Sequence, residues 1–90
     1  MPVNTLEQRK LVAWQNATPV IGYDPNDVRK DAFGWFICWS HYGNRNSDYG
    51  WEIDHAHPTI LGGSDNLSNL RALHWRNNAT LGGLLGNALR

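Results

Sequence analysis

A single cysteine, Cys38, limits how this chain of 90 residues can be stabilised. One cysteine excludes an internal disulfide framework and any metal site built from pairs of cysteines. A domain of this size buries a small core and often depends on a metal, a disulfide or a partner. We therefore expect one domain, residues 1–90, in which Cys38 is a small buried apolar side chain. The five tryptophans should supply much of the core.

The charge of the chain is balanced but unevenly distributed. Eight basic and eight acidic residues give a formal net charge of zero, whereas nucleic-acid binders usually carry net positive charge. Acids cluster between residues 48 and 65, and only arginines carry charge after that point. This order suits a cation site beside a phosphate-binding surface.

Two absences in the sequence bear on location. No apolar stretch approaches the length of a membrane span, and the first ten residues lack the pattern of a signal peptide. A single unpaired cysteine also fits a reducing interior better than secretion. We expect a soluble, cytoplasmic protein with no membrane partner.

The first half of the chain predicts a helix and a strand. Residues 5–16 have a helical stripe with Thr5 as N-cap. Residues 24–30 predict a turn or short helix, capped by Asp24. The continuous apolar run 35–39 predicts a buried strand. A second strand within residues 49–57 is expected to pair with it.

The second half predicts a strand, a glycine loop, a strand and a helix. Residues 62–66 form the loop, and residues 69–73 form a short strand. A helix is expected over residues 75–81, ended by the two glycines at 82 and 83. The tail, residues 84–90, either adds a turn or frays. The whole is an α+β domain with an N-terminal helix.

Asp54 and His55 end one predicted strand, and Asn78 lies in the last predicted helix. If that helix folds back on the strands, Asp54 and Asn78 can face one cation. Both offer hard oxygen ligands, which suit Mg²⁺ or Mn²⁺, and most coordination positions stay open for water and phosphate. A neutral His55 beside the cation can remove a proton from water. Its other ring nitrogen needs an acceptor, and a backbone carbonyl would serve.

Four positions and one loop agree with a known motif. Asp54-His55 precede the loop 62–67, which is followed by Asn69 and then by Asn78. Together these residues resemble the HNH endonuclease motif. Joint agreement makes the match specific, because a lone Asp-His pair would mean little.

The resemblance implies a fold and a role for each position. The fold is the ββα-metal finger, with its core at about residues 49–83. By resemblance, Asp54 and Asn78 are the metal ligands and His55 is the general base. Asn69 is the residue that braces the loop between the strands. The implied cofactor is one divalent cation, Mg²⁺ or Mn²⁺, and the implied reaction is hydrolysis of a DNA phosphodiester bond.

This chain departs from many HNH relatives in two places. Many relatives carry two cysteine pairs that bind a structural zinc, but here His74 and Asn77 stand where the second pair would fall. We therefore predict no structural zinc. Many relatives also carry a lysine or arginine shortly after the Asn78 position. Residues 79–82 supply none, which predicts weaker phosphate contact.

Six more residues are candidates for substrate contact or support of the site, and each has an ordinary structural alternative. His57 should share a strand face with His55. His74 should lie on the same side of the helix edge as Asn78, with packing or capping as the simpler role. The remaining candidates are Glu52, expected on the strand face of Asp54, and three arginines that can contact phosphate or remain solvated: Arg45, Arg71 and Arg76.

Three functions are compatible with these features. The first is a DNA endonuclease, with RNA as an open alternative substrate and low sequence specificity. The second is a nucleic-acid-binding or interaction module on an HNH scaffold with weak or lost catalysis, which the neutral charge favours. The third is a metal-stabilised structural subunit of a larger phage or mobile-element assembly. A homo-oligomer is also open, and the oligomeric state decides between nicking and double-strand cutting.

Overall fold

The computed structural model describes residues 5–88. Within them, a three-stranded antiparallel sheet has the order β1-β2-β3, and a separate antiparallel pair is formed by β4 and β5. This arrangement confirms the predicted α+β class with an N-terminal helix. The elements in chain order are α1 (Leu6–Gln15), β1 (Thr18–Pro19), β2 (Val28–Lys30), β3 (Phe36–Cys38), β4 (Trp51–His55), β5 (Leu70–His74) and α2 (Trp75–Ala88).

Helix α1 begins at the predicted cap. The Thr5 side chain accepts a hydrogen bond from the Gln8 backbone N–H, and the Gln8 side chain accepts one from the Thr5 backbone N–H. This reciprocal capping box satisfies two of the free N–H groups at the start of the helix. Ala13 and Trp14 form the buried side of α1, which packs against β5.

Three tryptophans form the centre of the core. Trp14, Trp39 and Trp51 contact one another, with ring centroids 5.2–5.6 Å apart. Trp14 and Trp51 are buried and Trp39 is partly buried against them. Trp35, in contrast, is exposed, so not all five tryptophans belong to the core.

The strand pairing of β3 differs from the prediction. β3 pairs with β2, not with the strand at 49–57, and of its three residues only Ile37 is buried. Of the turn or short helix expected over residues 24–30, the structure has a turn, in which the Asp24 carbonyl accepts from the Asp27 and Val28 N–H groups, and the chain is then extended as β2. β3 thereby gains a partner close in sequence. Cys38 at its end is half-buried, and this burial, with Asp27 nearby, raises the pKa of its thiol.

The hairpin of β4 and β5 forms the second half of the fold together with helix α2. Trp51 lies opposite His74 and His55 lies opposite Leu70. Alternation along β4 directs Trp51 and Ile53 to the core and leaves Glu52 and Asp54 together on the other face. Helix α2 follows β5 directly and packs against both strands.

The sequence predicts that helix α2 ends at Gly82 and Gly83, but the helix continues to Ala88. A glycine ends a helix by adopting positive φ, and neither of these glycines does. The predicted tail therefore continues the helix as far as Ala88, and residues 89–90 lie outside the described part. Neither helix within residues 5–88 is long and apolar enough to cross a bilayer.

Candidate active site

Asp54 and His55 are the last two residues of β4. Asp54 lies opposite Arg71 of β5, and the Arg71 Nε donates to Asp54 Oδ2 at 3.0 Å. Both side chains of this ion pair are about three-quarters covered. The structure therefore joins one predicted metal ligand to one predicted phosphate contact.

His55 is bonded to a carboxylate. Its Nε2 lies 2.7 Å from Asp65 Oδ1, and because a carboxylate only accepts, Nε2 is the donor. Arg9 of α1 donates to the same oxygen at 3.0 Å. The hydrogen bonds from His55 and from Arg9 lower the pKa of Asp65. The acceptor for the second ring nitrogen is thus a carboxylate and not the backbone carbonyl that the sequence led us to expect.

Asn69 joins the two ends of the loop between β4 and β5. Its Oδ1 accepts from the His57 backbone N–H, and its Nδ2 donates to the carbonyls of His57 and Ser64, at 2.6–2.9 Å. The Asn69 backbone carbonyl also accepts from Ala56. One amide side chain therefore holds the exit of β4 against the segment that carries Asp65.

Asn78 reaches the face of β4 through Glu52. Its Nδ2 donates to Glu52 Oε1 at 2.8 Å, and Arg45 binds both oxygens of the same carboxylate at 2.7 Å. The hydrogen bond from Arg45, with that from Asn78, lowers the pKa of Glu52. Glu52 thus ties α2 and the loop before β4 to the strand that ends in Asp54.

The donor set suits a hard divalent cation. With its amide nitrogen bound to Glu52, Asn78 keeps its Oδ1 for a ligand, and Asp54 Oδ1 has no hydrogen-bond partner among residues 5–83. No group of three or more His, Cys, Asp or Glu in the described residues can hold a metal. A cation held by Asp54 and Asn78 would therefore take water or phosphate for most of its ligands, as Mg²⁺ commonly does.

The remaining predicted residues occupy different surroundings. His57 is exposed in the turn after β4, so strand alternation does not place it on a face with His55. His74 is the last residue of β5, directly before α2, and it is buried. Its Nε2 donates to the Asp48 carbonyl and its Nδ1 accepts from the Arg76 backbone N–H in the first turn of α2, so His74 is packed and also caps the helix. Arg76 is half-exposed, 3.5 Å from Asp48.

No sequence pattern predicts a site role for Arg9, Asp31 or Asp65. Asp65 stands in the glycine loop that the motif defines, so its position was a usable signal. Arg9 is 56 residues away from Asp65, and only the packing of α1 against the hairpin brings it there. Asp31 is a buried carboxylate at the turn between β2 and β3, and no local pattern marks it.

An antiparallel strand pair followed by a helix, with Asp-His at the end of the first strand and Asn in the helix, defines a ββα-metal type of domain. A sequence model described as HNH endonuclease matches residues 37–82, just over half of the chain. The chain therefore belongs to the HNH endonuclease family, whose members act on nucleic acids, and the resemblance is confirmed. Searches of curated proteins and of solved structures found no match.

Proposed function

We propose that this chain is an endonuclease that hydrolyses phosphodiester bonds of DNA with a divalent cation. The observation that carries the proposal is the placement of His55 beside Asp54 at the end of β4, with Asn78 of α2 reaching the same strand through Glu52. A cation bound by Asp54 and Asn78 supplies charge stabilisation for the phosphate and the leaving oxygen.

The chain's own residues account for the proton transfer. The Nε2 of His55 donates to Asp65, so Nδ1 is the ring nitrogen with a free lone pair. A neutral imidazole in this tautomer can take the proton of a water molecule that attacks phosphorus. Asn69 holds the turn that follows His55 and keeps the ring at the strand end.

Plasmid nicking tests the proposal. We expect supercoiled DNA to be nicked at low salt with Mg²⁺ or Mn²⁺ and left intact with EDTA. His55→Ala should lower the rate by about 100-fold or more, because a general base typically contributes about 10²–10⁴-fold. His41→Ala is the matched control, since His41 lies before β4 and bonds to Ser47. Equal nicking by wild type and His55→Ala would remove His55 from the mechanism.

Metal binding has a separate test. Mg²⁺ or Mn²⁺ at ten times its dissociation constant should raise the free energy of unfolding by about 1.4 kcal/mol, because it binds only the folded state. Asp54→Ala should abolish this increase, whereas Asp27→Ala should keep it, since Asp27 is exposed and lies outside the site. An increase that survives in Asp54→Ala would place the cation elsewhere.

The ion pairs of the site favour a second candidate, a nucleic-acid-binding module without efficient catalysis. Arg71 is bound to Asp54 and Arg45 to Glu52, and the net charge is zero. These two arginines of the described site are therefore engaged by carboxylates and not free to position a phosphate. DNA binding by wild type that is salt-dependent, without nicking under any of the metals, would favour this candidate.

A further inference from the structure

The loop between β4 and β5 brings a carboxylate to the ring of the proposed base. Asp65 Oδ1 lies 2.7 Å from His55 Nε2 and 3.0 Å from Arg9 Nη2. The three side chains come from the loop, from the end of β4 and from α1. Asp65 is itself two-thirds exposed, whereas His55 and Arg9 are mostly covered. The exposed partner is therefore held by two covered donors.

We propose that Asp65 is a positioning residue that fixes His55 in the Nε2–H tautomer, and that Arg9 holds Asp65 in place. The proposal rests on the proposed function for its kinetic consequence, but the geometry of the ring is independent of activity. A neutral histidine has two tautomers, and the hydrogen bond made by one nitrogen decides which form is present. A carboxylate acceptor at Nε2 selects the form in which Nδ1 can accept a proton.

Asn69 supplies the reason why this carboxylate is in reach. It bonds to His57, two residues after His55, and to Ser64, the residue before Asp65. The Asn69 amide therefore holds chain segments adjacent to both His55 and Asp65. Fixed partners of this kind orient a histidine ring, and for histidines that bind a metal their removal typically costs about 10- to 100-fold in affinity or activity.

Arg9 adds a contact from outside the hairpin. Its guanidinium binds the same oxygen that His55 does, so it opposes rotation of the Asp65 side chain toward solvent. Ionised donors and acceptors form hydrogen bonds about twice as strong as neutral ones. Loss of Arg9 should weaken the orientation of the ring without removing its acceptor.

Two measurements on the full chain test the proposal. The first is long-range ¹H–¹⁵N correlation NMR of the imidazole rings at pH 7.5, with His55 assigned from its alanine variant. Wild type should show His55 as the Nε2–H tautomer, and Asp65→Ala should shift it toward a mixture. The second is single-turnover nicking of plasmid DNA with Mg²⁺ or Mn²⁺, with DNA affinity measured separately.

We expect Asp65→Ala to lower the nicking rate at saturating DNA by about 10- to 100-fold, with DNA affinity changed less than about twofold. Asp65→Asn, which keeps the side-chain volume, should also lower the rate, because an amide is the weaker acceptor. Arg9→Ala should lower it by a smaller factor. Glu7→Ala is the control, since Glu7 is an exposed acid on the same helix, bonded to Lys10, and should leave rate and tautomer unchanged.

The outcomes separate this proposal from the proposed function. An unchanged His55 tautomer in both Asp65 variants would overturn the positioning role, whatever the activity. Absence of nicking in wild type, combined with a tautomer that shifts in Asp65→Ala, would overturn the nuclease and leave the positioning of the ring supported. Circular dichroism of each variant shows whether it is folded, and Asp65→Asn serves if Asp65→Ala is not.

Discussion

Asp31 is a buried carboxylate that joins the turn between β2 and β3 to the start of α2. Its Oδ1 accepts from the backbone N–H groups of Phe33 and Trp35, each at 2.9 Å. Its Oδ2 accepts from the His74 backbone N–H at 2.9 Å and from Asn77 Nδ2 at 2.8 Å. The residue is 3% exposed, so water cannot readily replace it as the acceptor. We expect Asp31→Ala to be strongly destabilising.

The size of the effect follows from the donors left behind. A buried donor without a partner costs about 1–3 kcal/mol. Phe33 and Trp35 are exposed, so water can serve their N–H groups, and the buried N–H of His74 and the half-buried amide of Asn77 dominate. Asp31→Ala should therefore lower the free energy of unfolding by about 2–6 kcal/mol. A domain of this length has about 5–13 kcal/mol in total, so much of its stability depends on this residue.

Urea denaturation followed by tryptophan fluorescence measures the loss. Asp27→Ala is the matched control, because Asp27 is exposed, and its effect should stay within about 0.5 kcal/mol. Asp31→Asn keeps the shape of the side chain but turns an amide N–H₂ toward two donors, so we expect it to be destabilised as well. It replaces Asp31→Ala in the measurement if Asp31→Ala does not fold. A loss below about 1 kcal/mol in Asp31→Ala would refute the argument from unsatisfied donors.

Three further changes have defined outcomes. Gly82→Ala should raise the free energy of unfolding by about 1 kcal/mol, measured by thermal melting, because it lies within α2 and an added Cβ meets no neighbour. Gly63→Ala should lower stability by at least about 1 kcal/mol in urea, since its Cβ would collide with the His57 carbonyl. Arg45 and Asn78 hold the pKa of Glu52 below its usual 4.5. Its contribution to the free energy of unfolding is therefore present above pH 4.5 and lost as pH falls through the lowered pKa. Glu52→Gln should therefore cost about 1 kcal/mol at pH 7 and flatten the loss of stability below about pH 5, as measured by urea titrations.

The hairpin and its helix could be predicted because their signals are local. An aromatic and β-branched run ending in Asp54-His55, a loop with paired glycines and a second run before Trp75 fix the order of elements. The roles of Asp54, His55, Asn69 and Asn78 stay predictions, with contacts in the structure that fit them. The order of the elements does not predict which strands pair, because nothing in the apolar run 35–39 favours pairing with β2 over pairing with β4.

Helix ends and histidine environments depended on information that the sequence lacks. Two adjacent glycines predict the end of a helix only if one adopts positive φ, and Gly82 and Gly83 do not. His74 lies at the edge of α2, where spacing placed it, but it is also the last residue of β5 and is buried, which spacing does not show. Element boundaries are hard to predict, because local propensities compete closely there and tertiary packing decides.

The positions that bind zinc in many HNH relatives are joined here by a carboxylate. By the resemblance, His74 and Asn77 take the positions of the second cysteine pair of those relatives, and Asp31 accepts a hydrogen bond from each of them. The contact ties the start of α2 to a turn more than forty residues earlier in the chain. This contact bears on the candidate site because Asn78 follows Asn77 directly. The position of the start of α2 relative to β4 determines how far Asn78 lies from Glu52 and Asp54.

Helix α1 lies outside the segment that matches the family, residues 37–82, yet it contributes to the site. Its Arg9 binds Asp65, and its Trp14 packs on Trp51, the first residue of the strand that ends in His55. A hairpin and a helix alone bury little apolar surface, so the family segment needs such a support to hold its strand ends in register. The packing of α1 that completes the core therefore also brings the Arg9 guanidinium to Asp65, the hydrogen-bond partner of the proposed base. Variation in the supporting helix can then change the orientation of His55 without altering any residue of the motif.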